Sequence, residues 1–381
     1  MKKVFGQHRT MGAAGFGGSF APIVQYEKWE IHKVFPHFSY FRLCQNLSPN
    51  LLAPLCGVAF ALLLCGMLLI LAGCSEESAP ERKLLRVGFS QLGAESDWRV
   101  ANTESMIQAF SEENGYELLY DNARQKQANQ LVAVRNFIVQ DVDIIVIAPA
   151  EETGWEAVLQ EAKDAGIPVI IMDREVAVED ESLYLTRIGS DFLTEGRQAV
   201  DWLARTLEAR GKADAPVNIL HLQGSYGATA QLLRTKALED AAAQRENWTI
   251  CAQLAGDFTE SKGYEAVRDY LKEHRDIDVL YSENDNMTFG AMKALEEAGL
   301  TYGADGDVMI ISFDAVRRAL EYCMAGKIDL CVECNPLHGP RVDELIRQHQ
   351  SGEKIPKQIF VEETVFTPDT VTEALIGSRL Y

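Results

Sequence analysis

The chain has 381 residues, 47% of them hydrophobic, and a formal net charge of −20 at neutral pH. A field of that sign repels phosphate backbones, so nucleic-acid binding is set aside. With an N-terminal leader removed, roughly three hundred residues remain, enough for two domains of ordinary size.

Residues 1–50 are aromatic, mixed in charge and without a sustained period. A secretory n-region is short and basic, and this stretch is neither, so it is read as an extension from a start codon upstream of the natural one. Gly15-Phe16-Gly17-Gly18 follows no strand and is not taken as a phosphate loop. An uncharged run then begins at Leu51 and ends in Leu71-Ala72-Gly73-Cys74. It has the form of a bacterial lipobox: the apolar segment enters the membrane, the chain is cut before Cys74, and the Cys74 thiolate takes a diacylglyceryl group. Residues 1–73 are therefore expected to be leader and lipoprotein signal. Residues 74–83, with Ser75-Glu76-Glu77-Ser78-Ala79-Pro80-Glu81, read as a flexible tether to the membrane. An uncleaved transmembrane anchor is the alternative, since the run is long enough to span a bilayer.

From residue 84 strands and helices alternate. Strands are expected at 85–90, 117–120, 143–149 and 168–173, with helices at 97–114, 127–140 and 155–165, the last stopping at Gly166. The near-continuous apolar run Ile144-Ile145-Val146-Ile147 marks a strand covered on both faces, as in a parallel sheet. The cycle restarts with strands at 183–189, 217–222, 279–282 and 308–314 and helices at 194–209, 229–244, 262–274 and 287–298. Two such series predict an α/β protein of two doubly wound parallel-sheet domains.

Cys331 and Cys334 form a C-x-x-C, but no second pair or histidine cluster completes four ligands. Residues 328–334 read as a strand, where positions three apart point to opposite faces, which suits neither chelation nor a mutual disulfide. Buried free thiols are expected, with a bridge from Cys323 left open.

In open parallel sheets, ligands sit beyond the carboxyl ends of the strands. The residues there fall in 90–99, Asp173-Arg174, 223–234, Glu283-Asn284-Asp285, Asp314 and Glu333. Carboxylates, arginines and amides among them suit paired hydrogen bonds to neighbouring hydroxyls. Trp98 offers an aromatic face for the apolar side of a sugar ring. Each has a plainer reading: Asp173 and Asp314 as turn caps, Trp98 and Phe258 as core, Arg234 as a solvated charge, Asn284 as a helix cap.

At these residues the chain resembles the type I periplasmic sugar-binding proteins of ABC importers, the ribose- and galactose-binding group, and within it the galactofuranose-binding members. The marks are Val87-Gly88-Phe89-Ser90-Gln91, Asp97-Trp98-Arg99, Arg124-Gln125-Lys126-Gln127, Ile147-Ala148-Pro149, Met172-Asp173-Arg174, Gly256-Asp257-Phe258-Thr259, Asn284-Asp285 and Phe313-Asp314. The resemblance implies that Asp173 and Arg174 grip adjacent hydroxyls, with Trp98 and Arg99 as stacking wall and donor fork. Arg234, Asn284 and Asp314 would close the net from the second lobe, with Phe258 opposite Trp98. Glu333 falls where relatives place a polar ligand or hinge residue. It also implies a three-segment hinge near 184–190, 331–336 and 360–364. The lobes would then be 84–185 plus 334–360 and 186–333 plus 361–381. Ala315 in place of a usual glycine, Glu283 in place of a frequent histidine, and Phe192 in place of a frequent asparagine depart from the pattern.

No histidine after the leader sits beside a serine in a nucleophile-elbow pattern. A carboxylate beside an arginine stays ionised, the wrong state for a general acid, so no enzyme activity is expected. The expectation is a lipid-anchored, extracytoplasmic, monomeric solute-binding protein. It binds a monosaccharide (galactofuranose-like, or another hexose or pentose) by hinge closure and delivers it to an ABC importer permease, with no cofactor or metal. The alternative is a sugar-sensing receptor that signals through a membrane kinase or chemoreceptor. A sugar-responsive repressor would need a basic helix-turn-helix where this chain carries its membrane-targeting segment.

Overall fold

The computed structural model describes residues 84–381, which lie in one compact unit. Cys74, the signal segment and all of the tether lie outside the described residues. Among those described, no helix is long and apolar enough to cross a membrane.

The first series runs β1 (Leu85–Gln91), α1 (Asp97–Ala109), β2 (Tyr116–Asn122), α2 (Gln127–Val139), β3 (Ile144–Ile147), α3 (Glu156–Asp164), β4 (Val169–Met172) and β5 (Thr186–Gly189). The second runs α4 (Phe192–Ala209), β6 (Val217–Gln223), α5 (Thr229–Ala243), β7 (Trp248–Ala255), α6 (Glu260–Tyr270), β8 (Val279–Ser282), α7 (Asp285–Glu297), β9 (Met309–Asp314), α8 (Arg317–Met324) and β10 (Leu330–Glu333). The chain then returns through α9 (Gly339–Gln350) and β11 (Gln358–Phe360), and ends with β12 (Val365–Phe366) and α10 (Glu373–Ser378).

These strands form two six-stranded sheets, β2-β1-β3-β4-β5-β11 and β7-β6-β8-β9-β10-β12. All pairings are parallel except β10 with β12, where Cys331 stands opposite Phe366. Each sheet carries the doubly wound order 2-1-3-4-5, whose switch point lies between its first and third strands.

The central strands are covered on both faces. Val87, Phe89, Val146, Ile170 and Met172 join one apolar cluster, while the alternate residues Ile145, Ile147, Val169 and Ile171 join another. The second sheet divides in the same way, with Leu220, Leu280 and Ile310 on one side and Ile219, Val279 and Ile311 on the other. This is the period-2 packing that the apolar runs predicted.

Two expectations change. Residues 186–189 were assigned to the second lobe, yet β5 pairs with β4 through Ile171 and Arg187, so the first crossing follows Gly189. A helix over 97–114 breaks at Ala109; Gly115 then adopts φ +94° after a short 3₁₀ turn. The remaining crossings fall after Glu333 and after Phe360, where successive strands change sheets. The cysteines at 251, 323, 331 and 334 are free thiols, the last three buried.

Candidate ligand-binding site

A small cavity is lined from the carboxyl ends of both sheets. From the first come Glu95, Ser96, Trp98 and Arg99 at the start of α1, and Asp173 and Arg174 after β4. From the second come Phe192, Ala230 and Arg234 on α4 and α5, Phe258 after β7, Asn284 after β8 and Asp314 closing β9, with Cys334 between β10 and α9. Eight of the nine residues singled out from sequence meet here.

Local structure explains the placement. Ser96 caps α1 by accepting the Arg99 N–H (3.1 Å), so that the first turn of the helix presents Trp98 and Arg99 together. Asn284 caps α7 through Met287 N (2.9 Å) and donates its amide to the Phe258 carbonyl (3.2 Å). The two strand-ending aspartates turn sharply, Asp173 at φ +67° and Asp314 at φ +103°. This left-handed region is unfavourable for most residues, and aspartate is among those that enter it more readily. Ala315 follows at φ +57°, a conformation that favours glycine.

Arg99 is shared between Glu95 (Nε to Oε1, 3.0 Å) and Asp173 (Nη2 to Oδ2, 2.7 Å). Burial alone would raise Asp173, but Arg99 and Arg174 reverse the effect and hold its carboxyl below the usual range. Arg174 donates to the Ala150 carbonyl (2.9 Å) and lies 5.6 Å from the Phe258 ring centroid. Burial, then the charge of Arg99, bring it down to about 10. Across the cavity Arg234 donates from Nε to Glu195 Oε2 (2.7 Å) and from Nη1 to the Glu283 carbonyl (2.6 Å). Its Nη2 lies 2.7 Å from the same Glu195 Oε2 without the alignment of a hydrogen bond, and stands 3.9 Å from Asp314 Oδ1, too far to bond. Burial pushes Asp314 well above its ordinary value despite Arg234.

Glu333 is the exception. Its carboxylate is held by Arg379 (2.5 Å), the Tyr381 hydroxyl (2.8 Å) and Thr364 N (3.2 Å), outside the cavity lining. The ligand role for it is withdrawn: a carboxylate saturated by an arginine and a tyrosine has little left to offer. The contact with Thr364 ties it to the third crossing instead.

Five lining residues, Glu95, Ser96, Phe192, Ala230 and Cys334, are not among the nine, and of these Phe192 is noted in the sequence only as a departure from the family pattern. Glu95 is buried against Arg99 with Oε2 unpaired, and its i,i+4 spacing to Arg99 was the available signal. Phe192 packs between the guanidinium groups of Arg187 (5.7 Å) and Arg234 (5.3 Å), which its place as the first residue of α4 allows. Glu283, noted as a departure, does not line the cavity: it is fully buried, bonded to His221, Thr235 and the Gly224 N–H.

The arrangement is therefore three aromatic side chains, Trp98, Phe192 and Phe258, flanked by carboxylates and guanidiniums. The chemistry of such a lining suits a neutral, hydroxyl-rich ring.

Known proteins share this fold. The family described as the periplasmic binding protein domain matches residues 87–337. The galactofuranose-binding protein YtfQ of Escherichia coli is 40% identical over 295 residues, covering 76% of this chain and 90% of its own length. The fructose import binding protein FruE of Bifidobacterium longum is 28% identical, covering 80% of this chain and 90% of its own. Among solved structures, the periplasmic component of the arabinose ABC transporter from Shewanella sp. ANA-3, bound to α- and β-L-arabinofuranose, is 39% identical. It superposes with a TM-score of 0.72 over 77% of this chain and 95% of its own. A Mycobacterium smegmatis protein in complex with β-D-fucofuranose is 40% identical, with a TM-score of 0.71 over 76% and 94%. These relatives are binding proteins rather than enzymes. With the fold and the matched length together, the chain belongs to the periplasmic binding protein family, in the type I sugar-binding group that serves ABC importers.

Proposed function

We propose that this chain captures a monosaccharide in the cavity between its two sheets and hands it to the permease of an ABC importer. The observation that carries the reading is the convergence of Trp98, Arg99, Asp173 and Arg174 from one sheet with Arg234, Phe258, Asn284 and Asp314 from the other on one small cavity. The ligands named for three relatives, galactofuranose, arabinofuranose and fucofuranose, favour a five-membered ring.

Hinge closure is the proposed mechanism: sugar bridges the walls and stabilises the closed form, which the permease reads. Lipidation at Cys74 would keep the monomeric protein at the outer face of the membrane. Buried charge-assisted hydrogen bonds and ring burial should give an affinity of about micromolar or tighter. Calorimetry and thermal shift against galactofuranose, L-arabinose, D-fucose, ribose and fructose test the reading. At least one should raise the melting temperature with one-to-one stoichiometry; a flat panel removes the ligand class.

A further inference from the structure

Three segments carry the chain between the sheets, and a residue from each meets at one buried spot. Ser190 stands on the first, Cys334 on the second and Glu363 on the third, while Glu195, in the first turn of α4, faces them. One ligand-type atom each from Glu195, Cys334 and Glu363 lies within 4.8 Å of the others. Glu363 Oε1 accepts from Ser190 Oγ (2.6 Å) and from the Asn335 N–H (2.7 Å), and Ser190 Oγ lies 3.2 Å from Cys334 Sγ. Glu195 gives Oε2 to Arg234, but its Oε1 is buried without a hydrogen-bond partner.

An unpaired buried carboxylate oxygen is costly, and a second carboxyl beside it makes two full negative charges worse still. Arg234, from α5, is the cation that bonds to Glu195. Arg187, from β5, spends its Nη2 on the carbonyls of Asp173 and Ser190 rather than on either carboxyl. Burial keeps the Cys334 thiol neutral, and Asp314, beyond Arg234, adds no positive charge.

We propose that Glu195 and Glu363 share one proton, forming a proton-binding site that fastens the three crossings together. Glu363 donates it to the orphaned Glu195 Oε1. Its other oxygen keeps the Ser190 and Asn335 bonds, the Cys334 thiol donates to Ser190, and every polar atom of the cluster is satisfied. Burial and the neighbouring Glu195 push Glu363 up to about 9, so the proton stays at neutral pH. A divalent cation would use the same atoms, but Arg234 already supplies the positive charge that Glu195 needs. The site rests on these contacts and not on which sugar is bound.

Infrared spectroscopy of the purified mature protein tests it. The carbonyl stretch of a neutral carboxylic acid should appear at pH 7 in the difference spectrum between the unsubstituted protein and Glu363→Gln and persist there until about pH 9, with sugar binding retained because Glu363 does not line the cavity. If that variant does not fold, Ser190→Ala should shift the same band by removing one donor to Glu363. Spectra that neither substitution changes would overturn the proposal. So would about one equivalent of metal by elemental analysis, removable by a chelator.

Discussion

Arg99 Nη2 meets Asp173 Oδ2 at 2.7 Å, with both side chains no more than 5% exposed. The pair joins the first turn of α1 to the end of β4, so the wall that would grip the sugar is held together by protein contacts. Asp173→Asn tests this cleanly, because asparagine also tolerates the left-handed backbone at this position. Sugar affinity should fall about tenfold or more, since a charge-assisted acceptor becomes a neutral amide. Glu95 still holds Arg99, so the stability loss should be about 2–3 kcal/mol, at or below the low end for a broken buried pair. Calorimetry and chemical denaturation read the two effects separately; unchanged affinity would put the ligand elsewhere.

Asp314 gives a pH signature. Burial raises its carboxyl, so the neutral acid is favoured when no sugar contacts it. Sugar hydroxyls that donate to it favour the carboxylate, so binding should release a proton and affinity should rise with pH. Folding stability without ligand runs the other way. A carboxyl raised above its unfolded value of 3.8 contributes stability that fades as pH climbs from there toward the folded value. Calorimetry in two buffers of different ionisation enthalpy counts the proton, and Asp314→Asn should abolish its release. A buffer-independent binding enthalpy in the unsubstituted protein would show that Asp314 keeps its charge state.

The repeated strand–helix rhythm was legible because the central strands are buried on both faces and leave unbroken apolar runs such as Ile144–Ile147. Strand β7 was passed over: it lies at a sheet edge, its residues mostly exposed or half-buried, with no such run. The short β11 and β12 take their identity from partners more than a hundred and about thirty residues away, which no local pattern reports. The placement of β5 failed for a related reason, since a four-residue strand at a crossing suits either sheet by composition. In the site, strand ends located the aspartates and Asn284. Glu333 satisfied the same rule, and only the return of the C-terminal Arg379 and Tyr381 shows that its carboxylate is already occupied.

The lipobox reading makes a cellular prediction. With Cys74 acylated, the protein should sediment with membranes and release only with detergent. Cys74→Ser should appear in the soluble extracytoplasmic fraction if an alternative cut follows, or remain as a larger, uncleaved membrane form. Membrane association with unchanged mass and no incorporated lipid would mean that the apolar run is an anchor in its own right.

Trp98 couples α1 to the second crossing. Its indole N–H donates to the Cys334 carbonyl (2.6 Å) while its ring lies 4.6 Å from the Arg99 guanidinium. Trp98→Phe keeps an aromatic face and removes the bond, leaving a buried carbonyl short of a donor. The loss should be about 1–3 kcal/mol, and small-angle scattering should show the unliganded protein shifted toward a more open form. A sugar-bound profile identical to the unsubstituted protein's would then show that ligand, not this bond, sets the closed geometry.

Gly224 leaves the space in which the Phe258 ring sits. A Cβ at residue 224 would overlap that ring, and Phe258 has little freedom to yield because its own backbone is held at φ +60° and its carbonyl is bonded by Asn284. Gly224→Ala should therefore push the ring into the cavity or out of its stack near Arg174. Overpacking of this kind costs about 1–3 kcal/mol, and sugar affinity should fall more than it does for Phe258→Leu, which shrinks the wall without displacing it. Equal affinities in the two variants would mean that the aromatic face contributes area alone, and that its position against the ring does not matter.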